Sequence, residues 1–301
     1  MRFKVTIGFL LVLVVAIFLL FLEWNLPDEK VFIWLRLPEA LVAFSFGAVL
    51  GTTGVIYQGV LKNPLSSPYI LGISAGAAFG ATVAAFLSLP ITLGAVLGSL
   101  FSVLLLVLFS VFFRTHAELL LFGVGLNAFL SSLILFLYAV MPSYTVQDAL
   151  FFTLGFISPE PLKISLFLFA LSLIGLLFFL PFGKWVDALS LGELGIFSGV
   201  KFEREGVFLL TAAALFVSVF VGVVGIVGFV GIVVPHLGRL LGFRVSRQLI
   251  PVSFLVGGAL LLLSQFLAKT LVYPTVLPVG AVTALIGVPI FLFVLWREGC
   301  A

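Results

Sequence analysis

Residues 91–112 read ITLGAVLGSLFSVLLLVLFSVF, twenty-two residues with no charge and no proline. A bilayer span needs about 20 apolar residues, and this run meets that length unbroken. Working outward with the same ruler gives nine further runs: 5–22, 37–58, 69–87, 119–138, 162–181, 206–224, 226–242, 252–271 and 279–296. The seventh and eighth spans are nearly fused around Gly225. The expected fold is therefore all-α: a polytopic membrane protein of about ten transmembrane helices, forming one domain over residues 1–301.

Composition agrees. Of 301 residues, 63% are hydrophobic and only 9% charged, with a mean hydropathy of +1.38. Soluble domains carry about 25% charged residues. The net charge of +3 is too small for a nucleic-acid partner, and the bilayer is the expected environment. Arg2 and Lys4 ahead of the first run look like the start of a signal peptide. The run Val5–Leu22 is longer than a signal core of about 7–15 residues and lacks a small-x-small cleavage site. It reads as the first span. The single Cys300 has no intrachain partner and no metal-ligand spacing around it.

Ten spans put both termini on one side, and basic residues choose the side. With the termini cytoplasmic, the inner segments hold Arg2, Lys4, Lys62, Arg114, Lys184, Lys201, Arg204, Arg239, Arg244, Arg247 and Arg297. The outer segments hold only Lys30, Arg36, Lys163 and Lys269. Eleven against four fixes the orientation. The inner connector 182–205 is the longest polar stretch on the cytoplasmic side, which makes it a natural docking site for a partner. The outer connector 23–36 carries charges and two Trp. The outer connector 139–161 contains a stretch, Val146–Phe156, with the character of a short surface helix.

Glycines recur four apart: Gly47 and Gly51; Gly72, Gly76 and Gly80; Gly94 and Gly98. Residues at that spacing share a helix face, and glycine there permits close backbone approach. Residues 228–240 run Gly-Phe-Val-Gly-Ile-Val-Val-Pro-His-Leu-Gly-Arg-Leu. Pro235 disfavours a continued helix and Arg239 prefers the cytoplasm. A helix stop at Pro235, with His236 at the inner face, is expected.

Several chemistries are absent. No phosphate-binding loop occurs, since Gly183-Lys184 is followed by Trp185, and no His-Glu-x-x-His pattern is present. On this assignment no acidic residue lies deep in a span, which disfavours the alternative of a secondary transporter working without an ATPase. Gln58, Asn127, Ser131, Ser132 and Gln265 are polar residues within spans. Asn127 and Ser131 share a face of the fifth span and are candidates for a substrate pathway. No catalytic or metal-ligating set emerges.

Blocks in sequence order then resemble one family, the FecCD-type membrane permeases of bacterial ABC importers for iron-siderophores, haem and vitamin B12. They are Arg36-Leu37-Pro38, Gly59 to Leu65, Leu71 to Ala77, Ala188 to Glu193, Gly228 to Arg239, and Leu277 to Pro289. The resemblance implies a transport subunit without enzymatic activity, in the bacterial inner membrane, paired with a second copy of itself. It also implies two cytoplasmic ATPase subunits, which carry the ATP and Mg, and an extracytoplasmic binding protein. This chain is expected to bind no cofactor. The ATPase seat maps to Ser190, Leu191, Gly192, Glu193 and Gly199. The cytoplasmic gate maps to Asn63, Leu65, Thr115 and His116. Binding-protein docking maps to Arg36 and Lys269; a third docking position, basic in the family, is Glu39 here.

Overall fold

The computed structural model describes residues 13–18, 21, 28–110, 112, 115–192 and 199–299. Among them are eleven α-helices of eight residues or more: α1 (Leu37–Val60), α2 (Ile73–Phe86), α3 (Ile91–Ser110), α4 (His116–Val140), α5 (Ser143–Leu154), α6 (Leu162–Phe179), α7 (Gly183–Ser190), α8 (Val207–Val224), α9 (Val230–Leu240), α10 (Ser246–Thr270) and α11 (Val279–Gly299). No strand occurs among the described residues. In a bilayer this is one of two ways to satisfy every backbone N–H and C=O. Six helical runs are long and apolar enough to cross a membrane, and Ile73–Phe86, Val230–Leu240 and Val279–Phe293 are shorter apolar helices. The expected first span, 5–22, lies mostly outside the described residues.

The chain forms two compact units. One comprises Met1–Val55, Ile157–Lys184 and Gly228–Ala301; the other comprises Ile56–Phe156 and Trp185–Val227. In the first, α1 lies against α10 with backbone touching backbone. A methyl added at Gly257 would collide with the Gly47 carbonyl, and one at Gly51 with the Ser253 carbonyl. Phe44 fills the next layer, edge-on to Phe254 at 5.7 Å between ring centroids, with Phe169 at 6.2 Å. Side-chain packing and interhelical hydrogen bonds, rather than apolar burial, hold helices together in lipid. Gln265 supplies one such bond, its Nε2 donating to the Ile157 carbonyl at 3.2 Å.

In the second unit, α2 and α3 cross on the predicted glycines. Gly80 faces the Gly94 carbonyl and Gly76 the Gly98 carbonyl, with no room for a side chain at any of the four. The helix α8 packs on α3, with Val96 filling the space over Gly222. The short helix expected in the connector 139–161 is present as α5. It begins after Pro142 and is pinned to the end of α8 by Phe156 N–H donating to the Val224 carbonyl at 2.9 Å.

Three expectations are corrected. The connector 23–36 is helical from Glu29 onward, so α1 continues a longer run. A widened π turn at Phe32–Arg36 sits just ahead of Pro38, where a proline ring would otherwise press on the carbonyl four residues back. Glu39 therefore lies ten residues inside a membrane-length helix and is only 3% exposed, against the expectation that no acidic residue is buried in a span.

The third correction is at Pro235, which does not stop its helix. It is the sixth residue of α9, which runs on to Leu240. One ladder bond is lost, and membrane helices tolerate that where neighbouring groups compensate. One residue on, the ring Nδ1 of His236 lies 2.8 Å from the Ile232 carbonyl oxygen. The stop is Gly242, at φ +93°: its N–H donates to the Arg239 carbonyl at 2.9 Å and Phe243 N–H to the Gly238 carbonyl at 3.2 Å. These are the two bonds of a Schellman cap. At the other end, α9 begins only at Val230. Gly225 (φ +85°) and Phe229 (φ +66°) break the backbone between it and α8, which resolves the fused boundary of the seventh and eighth spans.

Glycine packing is the feature most open to a direct check. Substituting Gly257 by Ala is expected to destabilise the protein by about 1–3 kcal/mol, the cost of overpacking a closed contact. Gly125, with nothing within 4 Å of its missing side chain, is expected to accept Ala within about 0.5 kcal/mol. Thermal unfolding of both variants in the same detergent measures the difference.

Candidate functional site

The predicted gate and the predicted ATPase seat fall in one unit and meet there. After α1 ends, Lys62 adopts φ +51° and Asn63 forms a tight turn. Asn63 Oδ1 accepts from Leu65 N–H at 2.9 Å, and the Asn63 carbonyl accepts from Ser66 N–H at 3.0 Å. This is an Asx turn, the conformation Asn-Pro favours. It leaves Leu65 exposed. Across from it, Thr115 caps α4 by a reciprocal capping box with Glu118, each bond 3.3 Å.

His116, the first residue of α4, lies against Phe202 with ring centroids 3.9 Å apart. Lys62 and Glu203 are the charged side chains that act on its ring. The seat begins at the end of α7. Ser190 Oγ donates to the Asp187 carbonyl at 2.7 Å, and Gly192 turns the chain at φ +67°. A side chain at Gly192 would stand 3.0 Å from the Lys62 ammonium. Leu191 projects with 62% of its surface exposed. Gly199, at φ +77°, has open space around it; Glu193 lies outside the described residues.

Two contacts then tie these pieces together. Val186 of α7 packs directly on Gly59 near the end of α1. Lys62, just beyond that end, reaches both Gly192 and the His116 environment. Lys62 stood in the sequence as one of eleven inner charges and as a member of the block Gly59 to Leu65, with no role of its own. Nothing in the spacing distinguishes it, because Gly192 and His116 are 130 and 54 residues away in the chain.

The pathway pair divides. Asn127 Nδ2 donates to the Tyr69 carbonyl at 3.2 Å and the Ile70 carbonyl at 3.1 Å. It thereby clamps the turn Pro68–Leu71, against which Gly123 also packs. Ser131, one turn on, is exposed. Asn127 is thus engaged in helix packing, the commonest use of such a residue in a membrane.

The docking pair lies in the other unit. Lys269, in the last turn of α10, forms an ion pair with Glu39 of α1. Lys269 Nζ is 5.7 Å from the centre of the Phe21 ring, and the Arg36 guanidinium is 5.8 Å from the same ring. Both cations therefore lie within cation–π reach of one aromatic ring, which favours both; Lys269 is bonded to the Glu39 carboxylate, and the Arg36 charge acts on that carboxylate as well. His236, in the same unit, is 1% exposed and meets Phe291 edge-on at 6.0 Å; it is an interior residue and not one at an exposed helix end. Among the described residues no group of three His, Cys, Asp or Glu side chains is placed to hold a metal.

With this geometry in hand, comparison with known proteins is specific. The FecCD transport family matches residues 3–297. The uncharacterized ABC transporter permease protein YvrB of Bacillus subtilis (strain 168) is 34% identical over 276 residues, covering 88% of this chain and 78% of its own. The vitamin B12 import system permease protein BtuC of Escherichia coli is 31% identical over 285 residues, covering 92% of this chain and 87% of its own. Among solved structures, one assigned to a metal-chelate type ABC transporter in an inward-facing conformation superposes with a TM-score of 0.90 at 28% identity, over 98% of this chain and 99% of that one. PsaBC from Streptococcus pneumoniae shares the fold at a TM-score of 0.61 and 18% identity, over 93% and 95% of the two chains. Family match, relatives and fold agree over nearly the whole length, and the chain belongs to the FecCD transport family as a permease subunit of an ABC importer.

Proposed function

We propose that this permease imports a metal chelate (an iron-siderophore or haem) or vitamin B12 across the bacterial inner membrane, as a homodimer of ten-span subunits with both termini cytoplasmic. The observation that carries the substrate class is the 0.90 superposition on a metal-chelate type transporter, supported by the identity to BtuC. Two ATPase subunits supply the energy and hold the ATP and Mg; this chain binds no cofactor. A binding protein delivers the ligand to the outer face. The translocation path runs between the two permeases, and Ser131, exposed on α4, is the member of the pathway pair left facing it.

Coupling follows from the arrangement around Lys62. The ATPase sits on 190–199, with the exposed Leu191 as its apolar anchor. Movement of this seat reaches the gate by two routes: Val186 on Gly59, and Lys62 between Gly192 and the start of α4. Those routes join the seat to Asn63–Leu65 and to Thr115–His116, whose opening and closing give alternating access.

Two outcomes test this division of roles. Replacing Leu191 by Asp is expected to weaken ATPase association about tenfold or more, the scale of losing a buried interface anchor, with the permease still folded. Deleting 190–199 is expected to abolish association. Normal co-purification of the ATPase with either variant contradicts the seat. For binding-protein docking, Arg36→Glu is expected to slow association at low salt and to lose that effect as salt is raised, because steering between charges at a surface is screened. An association rate unchanged at low salt removes Arg36 from the docking surface.

A further inference from the structure

The ion pair between Glu39 and Lys269 does more than join two helices. The Glu39 side chain is 4% exposed and that of Lys269 is 22% exposed. One partner is sealed in the protein; the other keeps an opening to its surroundings. Lys269 is also the last basic residue of α10, at a helix C-terminus, where its charge is favoured independently of Glu39. Phe21, whose ring Arg36 also approaches, offers it a second contact. The lysine can therefore leave the carboxylate without being stranded, whereas the carboxylate cannot follow it.

We propose that Glu39 is a built-in counter-ion that competes for Lys269 with an acidic partner surface, so that docking of the binding protein exchanges one carboxylate for another at Lys269. The proposal rests on the docking role assigned above to Arg36 and Lys269, and it separates them: Lys269 is bonded to Glu39 and must be released from it, whereas Arg36 acts on that carboxylate only through its charge. A buried carboxylate that loses its cation is costly. Docking is thereby opposed, and the opposing force acts on the contact between α1 and α10. By linkage, anything that loosens that contact strengthens docking, and docking loosens that contact in turn. The partner's chemistry is acidic, and its carboxylate must reach past the rim to a half-buried ammonium.

The test uses the complete permease–ATPase complex in lipid nanodiscs, with binding-protein affinity measured at low ionic strength. Glu39→Gln keeps the shape of the side chain and removes the competing charge. It is expected to tighten docking about fivefold, the scale of one modest ion pair. Adding Lys269→Met to that variant leaves a neutral pair of similar volume, which folds without an uncompensated buried charge. It is expected to return the affinity to the wild-type level or below.

Unchanged or weakened docking in Glu39→Gln overturns the exchange. So does a gain that survives Lys269→Met, because the effect is then only the altered field of the surface. Arg36→Glu in the same assay reports on the docking reading itself. If it weakens docking while Glu39→Gln does nothing, the docking surface stands and only the exchange is lost. If Arg36→Glu and the Lys269→Met addition both leave affinity unmoved, the docking surface is removed and the exchange falls with it.

Discussion

Close backbone contact is the constraint on which the rest depends. In lipid, an apolar side chain gains little by turning from a hydrocarbon tail to a neighbouring helix. The helices must instead come near enough for dispersion to act between main chains, and only glycine allows that. Gly47 against Gly257 in one unit and Gly80 against Gly94 in the other are such contacts. They leave no freedom to slide by a fraction of a turn without a clash, so the helices move as packed blocks. A transporter that must change shape repeatedly benefits from such blocks, because the motion is then confined to their ends.

The proposed gate and ATPase seat lie at such ends. The turn after α1, the capping box that starts α4 and the glycine turn after α7 are each stiff alone. Lys62 joins them through a flexible four-carbon stem. A long side chain between rigid turns transmits displacement and still tolerates small changes in distance. The ion pair of Glu39 with Lys269 lies in the other unit, where α1 meets α10.

Much of this architecture was legible in the sequence, and the failures have physical causes. Uninterrupted runs such as 91–112 predicted α3 well, because length and composition alone settle whether a segment suits a bilayer. The glycine spacing marked close-packing faces on α2 and α3, and Gly76, Gly80, Gly94 and Gly98 do lie in such a contact, though which helices would pair was not legible. Pro235 misled because a proline costs a helix one ladder bond without having to end it; membrane helices tolerate that loss, and Gly242 marks the true end. Arg36 and Pro38 misled in the same way about where α1 begins, so Glu39 was taken as a rim residue when it is buried. Its partnership with Lys269, across 230 residues of chain, is invisible without a fold. Lys62 was missed for that reason too. The hydrogen bonds of Asn127 to the turn at Pro68–Leu71 lie 58 and 57 residues away in the chain and could not be read from its place on a span.

The most direct measurement is uptake by proteoliposomes containing the permease with its ATPase, supplied with binding protein carrying vitamin B12 or a ferric siderophore. The account predicts uptake of one of these ligands that requires ATP and stops when the ATPase is omitted, whatever ion gradient is imposed. Uptake that proceeds without the ATPase, driven by a proton or sodium gradient, would contradict it.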